Sequence, residues 1–215
     1  MKTTGTLIAA FGRQYEVRTD DTGEILLCVP RGKKSLFACG DRVQIAATGP
    51  GQGVIDKLLE RSSLLYRSDA WRQKLIAANA TQVVLVVATE PSFSDEFLSR
   101  CICAAESQHL KVLIVLNKID IVAGLEGARA QLATFAKLGY PILELSALDS
   151  ADALRARLIG ETSLLVGQSG MGKSTLTNAL IPEARAETRE ISEYLDTGKH
   201  TTTFARLYEL PDGGE

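Results

Sequence analysis

Residues 167–174 read Gly-Gln-Ser-Gly-Met-Gly-Lys-Ser, and this stretch decides the fold. It fits the pattern G-x-x-x-x-G-K-[ST], whose glycines let backbone N–H groups converge on phosphate oxygens. The apolar residues 163–166 before it predict a strand, and the residues after it predict a helix that Pro182 ends. A glycine-rich turn with a surface lysine is the alternative, but the flanking strand and helix favour a phosphate loop. The pattern therefore predicts an α/β domain that binds a nucleoside triphosphate.

Two side chains of this loop have predicted roles. Lys173 is expected to reach the β- and γ-phosphates and to act in catalysis, and Ser174 is expected to ligate Mg²⁺. The N-terminus of the helix adds positive potential. The predicted nucleotide contacts in this region are Gly167, Gln168, Ser169, Gly170, Met171, Gly172, Lys173, Ser174 and Thr175.

A second loop predicts which base is bound. Asn117, Lys118 and Asp120 lie in Asn-Lys-Ile-Asp, directly after the apolar residues 111–116, and so at the carboxyl end of a predicted strand. This resembles the Asn-Lys-x-Asp motif of GTPases. A carboxylate accepts two hydrogen bonds from guanine, whereas adenine offers no such pair of donors, so a buried Asp120 disfavours an ATPase or adenine-using kinase. Taken alone, the four residues could also form an exposed polar turn.

The order of the motifs along the chain is unusual. Ser146 and Ala147 follow the predicted strand 142–145 and resemble the Ser-Ala motif whose backbone supports the base. The guanine loop and the Ser-Ala loop both precede the phosphate loop, whereas ordinary GTPases have the phosphate loop first. Because the ends of a compact domain lie near each other, relinking them can preserve the site. The sequence therefore predicts a circularly permuted GTPase domain.

The rest of the chain predicts two domains. Strand and helix patterns alternate from Gln82 onward, which indicates a parallel sheet, with Ser94 expected to cap a helix that ends near Ser107. Up to about residue 66, short apolar stretches are separated by turns, as in a small all-β barrel. These residues do not separate an OB-fold from an SH3-like barrel. We place the boundary between residues 68 and 69.

Bulk properties exclude few functions. The chain has 215 residues and a net charge of −2, so contact with a polyanion requires a local basic patch. The four cysteines have no zinc-ligand spacing and are expected to be reduced. No apolar stretch approaches the roughly 20 residues of a membrane span, and no signal-peptide pattern follows Met1. These features predict a cytoplasmic protein without membrane or DNA partners, and we expect a monomer.

Three further stretches, together with the permuted motifs, carry a family resemblance over essentially the whole chain. They are Gly-Asp-Arg-Val at 40–43, Ile-Ala-Ala-Asn at 76–79 and Gly-Lys-His-Thr-Thr-Thr at 198–203. The chain resembles the ribosome-small-subunit-dependent GTPases known as RsgA or YjeQ, which are bacterial assembly factors. The resemblance implies an N-terminal OB-fold that contacts ribosomal RNA at 1–68, and a permuted GTPase at 69–215. It also implies GTP hydrolysis stimulated by the small subunit, coupled to release from it late in maturation.

The segment after the phosphate-loop helix is expected to contain the first switch. Residues 183–199 lack sustained apolar periodicity and precede a predicted strand at 203–210. The resemblance implies that Thr202, or its neighbour Thr201 or Thr203, meets Mg²⁺, and that His200 orients the attacking water. A threonine-rich strand entry and a histidine in a solvated loop without a role are the respective alternatives. His109 receives no role.

The sequence departs from the family pattern at its end. After Glu215 the resemblance implies a strand, an Asp-x-x-Gly motif for the second switch and a zinc-binding domain, whose ligands this sequence does not contain. The chain alone is therefore expected to be poorly folded around the γ-phosphate. A second hypothesis follows, in which this form binds guanine nucleotide or ribosomal RNA without efficient turnover.

One basic stretch of the predicted barrel is a candidate RNA contact. Arg31, Lys33 and Lys34 lie in a predicted loop and are hypothesised to contact ribosomal RNA phosphates. The alternative is a solvated hairpin tip that protects an edge strand. The family resemblance favours the RNA contact.

Overall fold

The computed structural model describes residues 2–32, 37–68, 73–181, 184 and 205–215. The described residues form two compact units. The first unit contains the residues up to Ala80 together with 205–208, and the second contains residues 81–181, 184 and 209–215. No helix within the described ranges is long and apolar enough to span a membrane.

The first unit contains a closed five-stranded barrel. Its strands are β1 (Lys2–Phe11), β2 (Gln14–Thr19), β3 (Ile25–Pro30), β4 (Arg42–Gly49) and β5 (Gln52–Leu58). They close in the order β1-β2-β3-β5-β4, with β3 and β5 parallel and the other pairs antiparallel. This OB-like arrangement confirms the fold class and resolves the choice that the residues alone left open.

Alternating burial along the strands builds the barrel core. In β3 the side chains of Leu26 and Cys28 are buried, whereas those of Ile25, Leu27 and Val29 are exposed. This is the pattern of a strand with one face turned to a core and the other to solvent. The buried cluster comprises Leu7, Tyr15, Val17, Leu26, Cys28, Val43, Ile45 and Ile55. Burial raises the pKa of the Cys28 thiol to about 11, and all four cysteines are free, as expected.

A two-stranded hairpin extends the first unit beyond the predicted boundary at residue 68. It consists of β6 (Leu64–Ser68) and β7 (Gln73–Ala78), and the unit ends at Ala80. The hairpin is held to the barrel because Ala78 N–H donates to the Cys39 carbonyl over 2.8 Å, and Asn79 Nδ2 donates to the Gly40 carbonyl over 2.9 Å. The stretches 40–43 and 76–79, which both carry the family resemblance, therefore contact each other.

A short C-terminal segment also lies in the first unit. Arg206 forms a single antiparallel bridge with Ala9, and Leu207 N–H donates to the Ile8 carbonyl over 2.8 Å. We predicted a strand over 203–210, but residues 205–210 show only this bridge. β1 has a register irregularity between Leu7 and Ala9 in its pairing with β2, beside this bridge.

The second unit is a parallel α/β sheet, as the alternation predicted. Its elements are β8 (Gln82–Ala88), α1 (Asp95–Glu106), β9 (Lys111–Asn117), α2 (Leu125–Lys137), β10 (Ile142–Glu144), α3 (Asp152–Leu158), β11 (Ser163–Val166) and α4 (Lys173–Leu180). The strand order is β10-β9-β8-β11, and all pairs are parallel. Every residue of β8 is buried, which explains the unbroken apolar run from Val83 to Ala88. Ser94 caps α1 by accepting from Phe97 N–H over 3.3 Å, as expected.

Candidate nucleotide-binding site

The three predicted motifs follow three strands of one parallel sheet. The guanine loop follows β9, the Ser-Ala loop follows β10 and the phosphate loop follows β11. Parallel strands point the same way, so all three loops lie at the carboxyl edge of the sheet, where ligands bind α/β proteins. The sheet therefore brings together residues that are more than 50 positions apart in sequence, as the contact between Asn117 and Met171 illustrates.

The phosphate loop presents open hydrogen-bond donors. Gly170 and Gly172 have φ of +81° and +88°, a conformation that a side chain would strain. Within the described chain, the backbone N–H groups of residues 169–175 donate to no protein acceptor. These groups surround the N-terminus of α4, whose dipole adds positive potential. The loop therefore has the geometry and charge of an anion site.

The loop also carries the two side chains expected to act on phosphate and metal. Lys173 Nζ donates to the Gln168 carbonyl over 2.8 Å, and burial lowers the pKa of its ammonium group. A bound anion would offset that cost by favouring the charged form. Ser174 and Thr175 are exposed in the first turn of α4, so the Ser174 hydroxyl suits an oxygen-preferring cation such as Mg²⁺.

Asn117 joins the three loops. Its side chain is 1% exposed, its Nδ2 donates to the Met171 carbonyl over 3.0 Å, and its Oδ1 accepts from Ala147 N–H over 3.0 Å. A Cβ on Gly172 would lie 2.3 Å from Asn117 Nδ2, so a side chain at the position directly before Lys173 would clash with Asn117. Sequence reasoning gave Asn117 a place beside the base but missed this role as a link within the protein. The sequence signal that could have indicated this role was the position of Asn117 at the end of a buried strand.

The carboxylate predicted to read guanine, that of Asp120, is open to a ligand. Asp120 is exposed and makes no hydrogen bond or ion pair with any other described residue. We expected a buried Asp120, but it is exposed in the protein without ligand, because it lies in the turn that follows the end of β9. Lys118 is held beside it with a φ of +62°, and its Nζ donates to the Glu90 carbonyl over 2.8 Å.

The Ser-Ala loop leaves one buried polar atom unsatisfied. Ser146 is 4% exposed, and its Oγ has no hydrogen-bond partner in the described structure. Buried hydroxyls are normally paired, so this atom fits a site that is completed by a ligand. Ala147 N–H already donates to Asn117 Oδ1, so it is not a free donor for a ligand.

The remaining predicted site residues cannot be placed. His200, Thr201, Thr202 and Thr203 lie outside the described residues, as does the predicted first switch at 183–199 apart from Ala184. In the ranges that the structure describes, no cluster of three or more His, Cys, Asp or Glu side chains could hold a metal ion. Ser174 is thus the one predicted Mg²⁺ ligand among the described residues, and no zinc site is seen there.

Sequence reasoning also missed the loop between β8 and α1. Thr89 is buried and its Oγ1 donates to the Lys118 carbonyl over 3.0 Å, while Ser94 N–H donates to Gln168 Oε1 over 3.1 Å. This loop therefore contacts both the guanine loop and the phosphate loop. The sequence of this loop matches none of the predicted nucleotide-binding motifs, so its place beside the site is seen only in the folded chain.

Comparison with known proteins agrees with this geometry. The RsgA GTPase family model matches residues 58–215. The chain is 54% identical over 214 residues to the small ribosomal subunit biogenesis GTPase RsgA of Burkholderia pseudomallei (strain K96243), covering 98% of this chain and 68% of that protein. The protein of the same name from Paraburkholderia phytofirmans is 53% identical over 215 residues, with the same coverage of both chains.

Two solved structures are also similar. The crystal structure of YjeQ from Thermotoga maritima aligns with a TM-score of 0.73 at 30% identity, covering 100% of this chain and 73% of that chain. YloQ, described as a circularly permuted GTPase, aligns with a TM-score of 0.64 at 26% identity, covering 85% of this chain and 66% of that chain. The matched residues include all three loops of the site, and the chain belongs to the RsgA GTPase family.

Proposed function

We propose that this chain hydrolyses GTP to GDP and phosphate as a factor in the biogenesis of the small ribosomal subunit. The observation that carries the proposal is Asn117, which links the phosphate loop, the guanine loop and the Ser-Ala loop through two 3.0 Å hydrogen bonds. The names and identities of the relatives support the cellular role.

The proposed binding mode follows from the open groups of the site. The N–H groups of residues 169–175 bind the phosphates, and Lys173 turns from the Gln168 carbonyl to the β- and γ-phosphate oxygens. Asp120 accepts from N1–H and the 2-amino group of guanine, and the Ser146 Oγ gains a partner on the guanine side.

Hydrolysis is a displacement at the γ-phosphorus. The oxygen of a water molecule bonds to that phosphorus as the bond to the β–γ bridging oxygen breaks, and the leaving GDP carries the electron pair away. Lys173 neutralises part of the charge that develops there. Mg²⁺, when bound, neutralises further charge, with Ser174 and a threonine of the segment 201–203, preferably Thr202, as its proposed ligands. His200 is the proposed residue that orients the water.

We also propose that the barrel binds ribosomal RNA of the small subunit, and that the first unit, with the residues up to Ala80 and 205–208, and the second unit divide these two tasks. Arg31 follows β3 with its side chain 70% exposed, and its Nε lies 2.8 Å from Asp56 Oδ1. Lys33 and Lys34 lie outside the described residues. An exposed guanidinium that is held by one carboxylate keeps further N–H donors for phosphate.

Turnover in the presence and absence of small subunits tests the enzymatic proposal. We expect release of inorganic phosphate from GTP to rise when purified small subunits are added, with no comparable release from ATP. GTP binding without release of phosphate under both conditions would favour a binding module instead.

The RNA proposal has a separate test. Neutralising Arg31, Lys33 and Lys34 together should weaken binding to the small subunit and flatten its salt dependence, because fewer counterions are released. GTP affinity, measured on the same variant, should not change. Equal subunit affinity with the same salt slope would remove this loop from the interface. A monomeric, cytoplasmic protein is the form in which we propose that these steps occur.

A further inference from the structure

The loop between β8 and α1, residues 89–94, contacts both halves of the nucleotide site. Its first residues contact the guanine loop, because Thr89 Oγ1 donates to the Lys118 carbonyl and the Glu90 carbonyl accepts from Lys118 Nζ. Its last residue, Ser94, contacts the phosphate loop through Gln168. We refer to residues 89–94 as the bridging loop.

Gln168 makes one contact through its side chain and another through its backbone carbonyl. Its side-chain Oε1 accepts from Ser94 N–H over 3.1 Å, and its backbone carbonyl accepts from Lys173 Nζ over 2.8 Å. The side-chain contact is partly buried, where a lost hydrogen bond has a measurable cost. The side-chain contact of Gln168 thus fixes the position of its own backbone carbonyl, which accepts from Lys173.

Nonpolar contact supports the same arrangement. A Cβ on Gly170 would lie 3.2 Å from Cγ and Cδ of Pro91, so the bridging loop packs directly against the turn of the phosphate loop. The far side of the bridging loop is held by Gln131 of α2, whose Nε2 donates to the Phe93 carbonyl over 3.2 Å and to Asp95 Oδ1 over 2.6 Å. The bridging loop is therefore fixed from one side, and Gln168 fastens the phosphate loop to it.

We propose that Gln168 is a positioning residue for the β- and γ-phosphates, which acts by fastening the phosphate loop to the bridging loop at Ser94. The inference rests on the proposed function, since it concerns the same nucleotide site. It assigns to the Gln168 side chain a role that its place in the phosphate motif does not require, because that motif uses the backbone at this position.

Calorimetric binding of GTP, GDP and GMP tests the proposal. Gln168→Met removes the acceptor oxygen while keeping the chain length, and should weaken GTP and GDP binding by about 5- to 10-fold, the effect of one hydrogen bond. Binding of GMP, which lacks the phosphates in question, should stay within about 2-fold. Gln168→Asn, which keeps the amide but retracts it by one methylene, should give the same pattern.

Gln108→Met is the matched control. It makes the same substitution at a glutamine between the end of α1 and the start of β9, and so at the amino edge of the sheet, opposite the three loops; the amide lost there donates to the Ser107 carbonyl. We expect its GTP, GDP and GMP affinities to equal those of the unsubstituted chain. A selective loss of GTP and GDP affinity in both Gln168 variants, absent in Gln108→Met, supports the proposal.

Two results would overturn the inference alone. Both Gln168 variants could bind GTP and GDP as the unsubstituted chain does, or could lose GMP affinity equally, which would show a general structural effect. A different result would overturn the proposed function together with it, namely an unsubstituted chain that binds GMP as tightly as GTP.

Discussion

Asp41 in the first unit and Asp120 in the second are both aspartates of sequence motifs, but their surroundings are opposite. The Asp41 side chain is fully buried and accepts from Arg61 Nε and Nη2 over 2.6 and 2.8 Å and from Ala38 N–H over 2.7 Å. Asp120 is exposed and makes no contact of this kind within the described chain. A carboxylate whose hydrogen bonds are satisfied inside the protein stabilises the fold, whereas one left open at the edge of a sheet is available to a ligand.

The strongest test of this comparison is Asp41→Asn. The substitution leaves Arg61, whose side chain is 19% exposed, without its counter-charge, and should lower the free energy of unfolding by about 3–5 kcal/mol. The hydrogen bond to Asp41 raises the pKa of Arg61 in the unsubstituted chain. Without Asp41 the guanidinium is still charged, because arginine does not deprotonate in proteins. Urea denaturation measures the loss. Asp20→Asn is the control, because its exposed pair with Arg42 should be worth under about 1 kcal/mol, and equal losses would contradict the comparison.

Lys173→Ala should give the next largest effect, on binding instead of stability. Loss of a charged donor to the phosphates should weaken GTP binding by about 100-fold, close to 3 kcal/mol. Ser174→Ala should act in the same direction but less. Fluorescence titration with GTP measures both, with Lys137→Ala at the exposed end of α2 as the control. GTP binding by Lys173→Ala at unchanged affinity would refute the phosphate-loop assignment.

Asp120→Asn tests the open carboxylate directly. Since Asp120 makes no hydrogen bond or ion pair with any other described residue, the unfolding free energy should stay within about 0.5 kcal/mol of the unsubstituted value. The preference for GTP over ATP should fall by about 1–3 kcal/mol, because the paired acceptor for guanine is lost. Competition between GTP and ATP measures this preference. Preserved selectivity would show that another group reads the base.

Glu161 of the second unit, unlike Asp120, has hydrogen-bond partners within the protein. We expect its substitution to have the smallest effect. Glu161 lies at the amino edge of the sheet, opposite the site, and its hydrogen bonds with Lys111 and Thr81 lower the pKa of its carboxyl group. Its folded-state pKa is thus below the unfolded value of about 4.3, so its stabilisation is complete above that pH and is lost as the pH falls through the folded pKa.

The measurement compares Glu161→Gln with the unsubstituted chain across pH. The variant should be less stable by under about 1 kcal/mol at pH 7, and the difference should shrink as the pH falls toward 3. A difference that stays constant between pH 7 and pH 3 would show that the carboxylate charge contributes nothing.

Much of the second unit could be predicted because its signals are local. The run from Gln82 to Ala88 became β8 with the predicted bounds, and Ser94 became the N-cap of α1. The glycine and lysine pattern at 167–174 determines its own backbone geometry, since positive φ at Gly170 and Gly172 depends on residue type. The hairpin β6–β7 was not predicted as part of the first unit, because its attachment to residues 39 and 40 is non-local.

The sequence by itself determined the choice of motifs, their permuted order and the class of each domain, because these depend on residue type and on local periodicity. Which polar groups are hydrogen-bonded inside the protein, and which stay open, became known only from the folded chain. The fold buried Asp41 against Arg61, left Asp120 exposed, turned the Asn117 side chain into a link between three loops, and placed Ser94 beside Gln168. The physical reason is that the pairing of a polar group depends on atoms brought near it by the fold, and sequence position does not specify those neighbours.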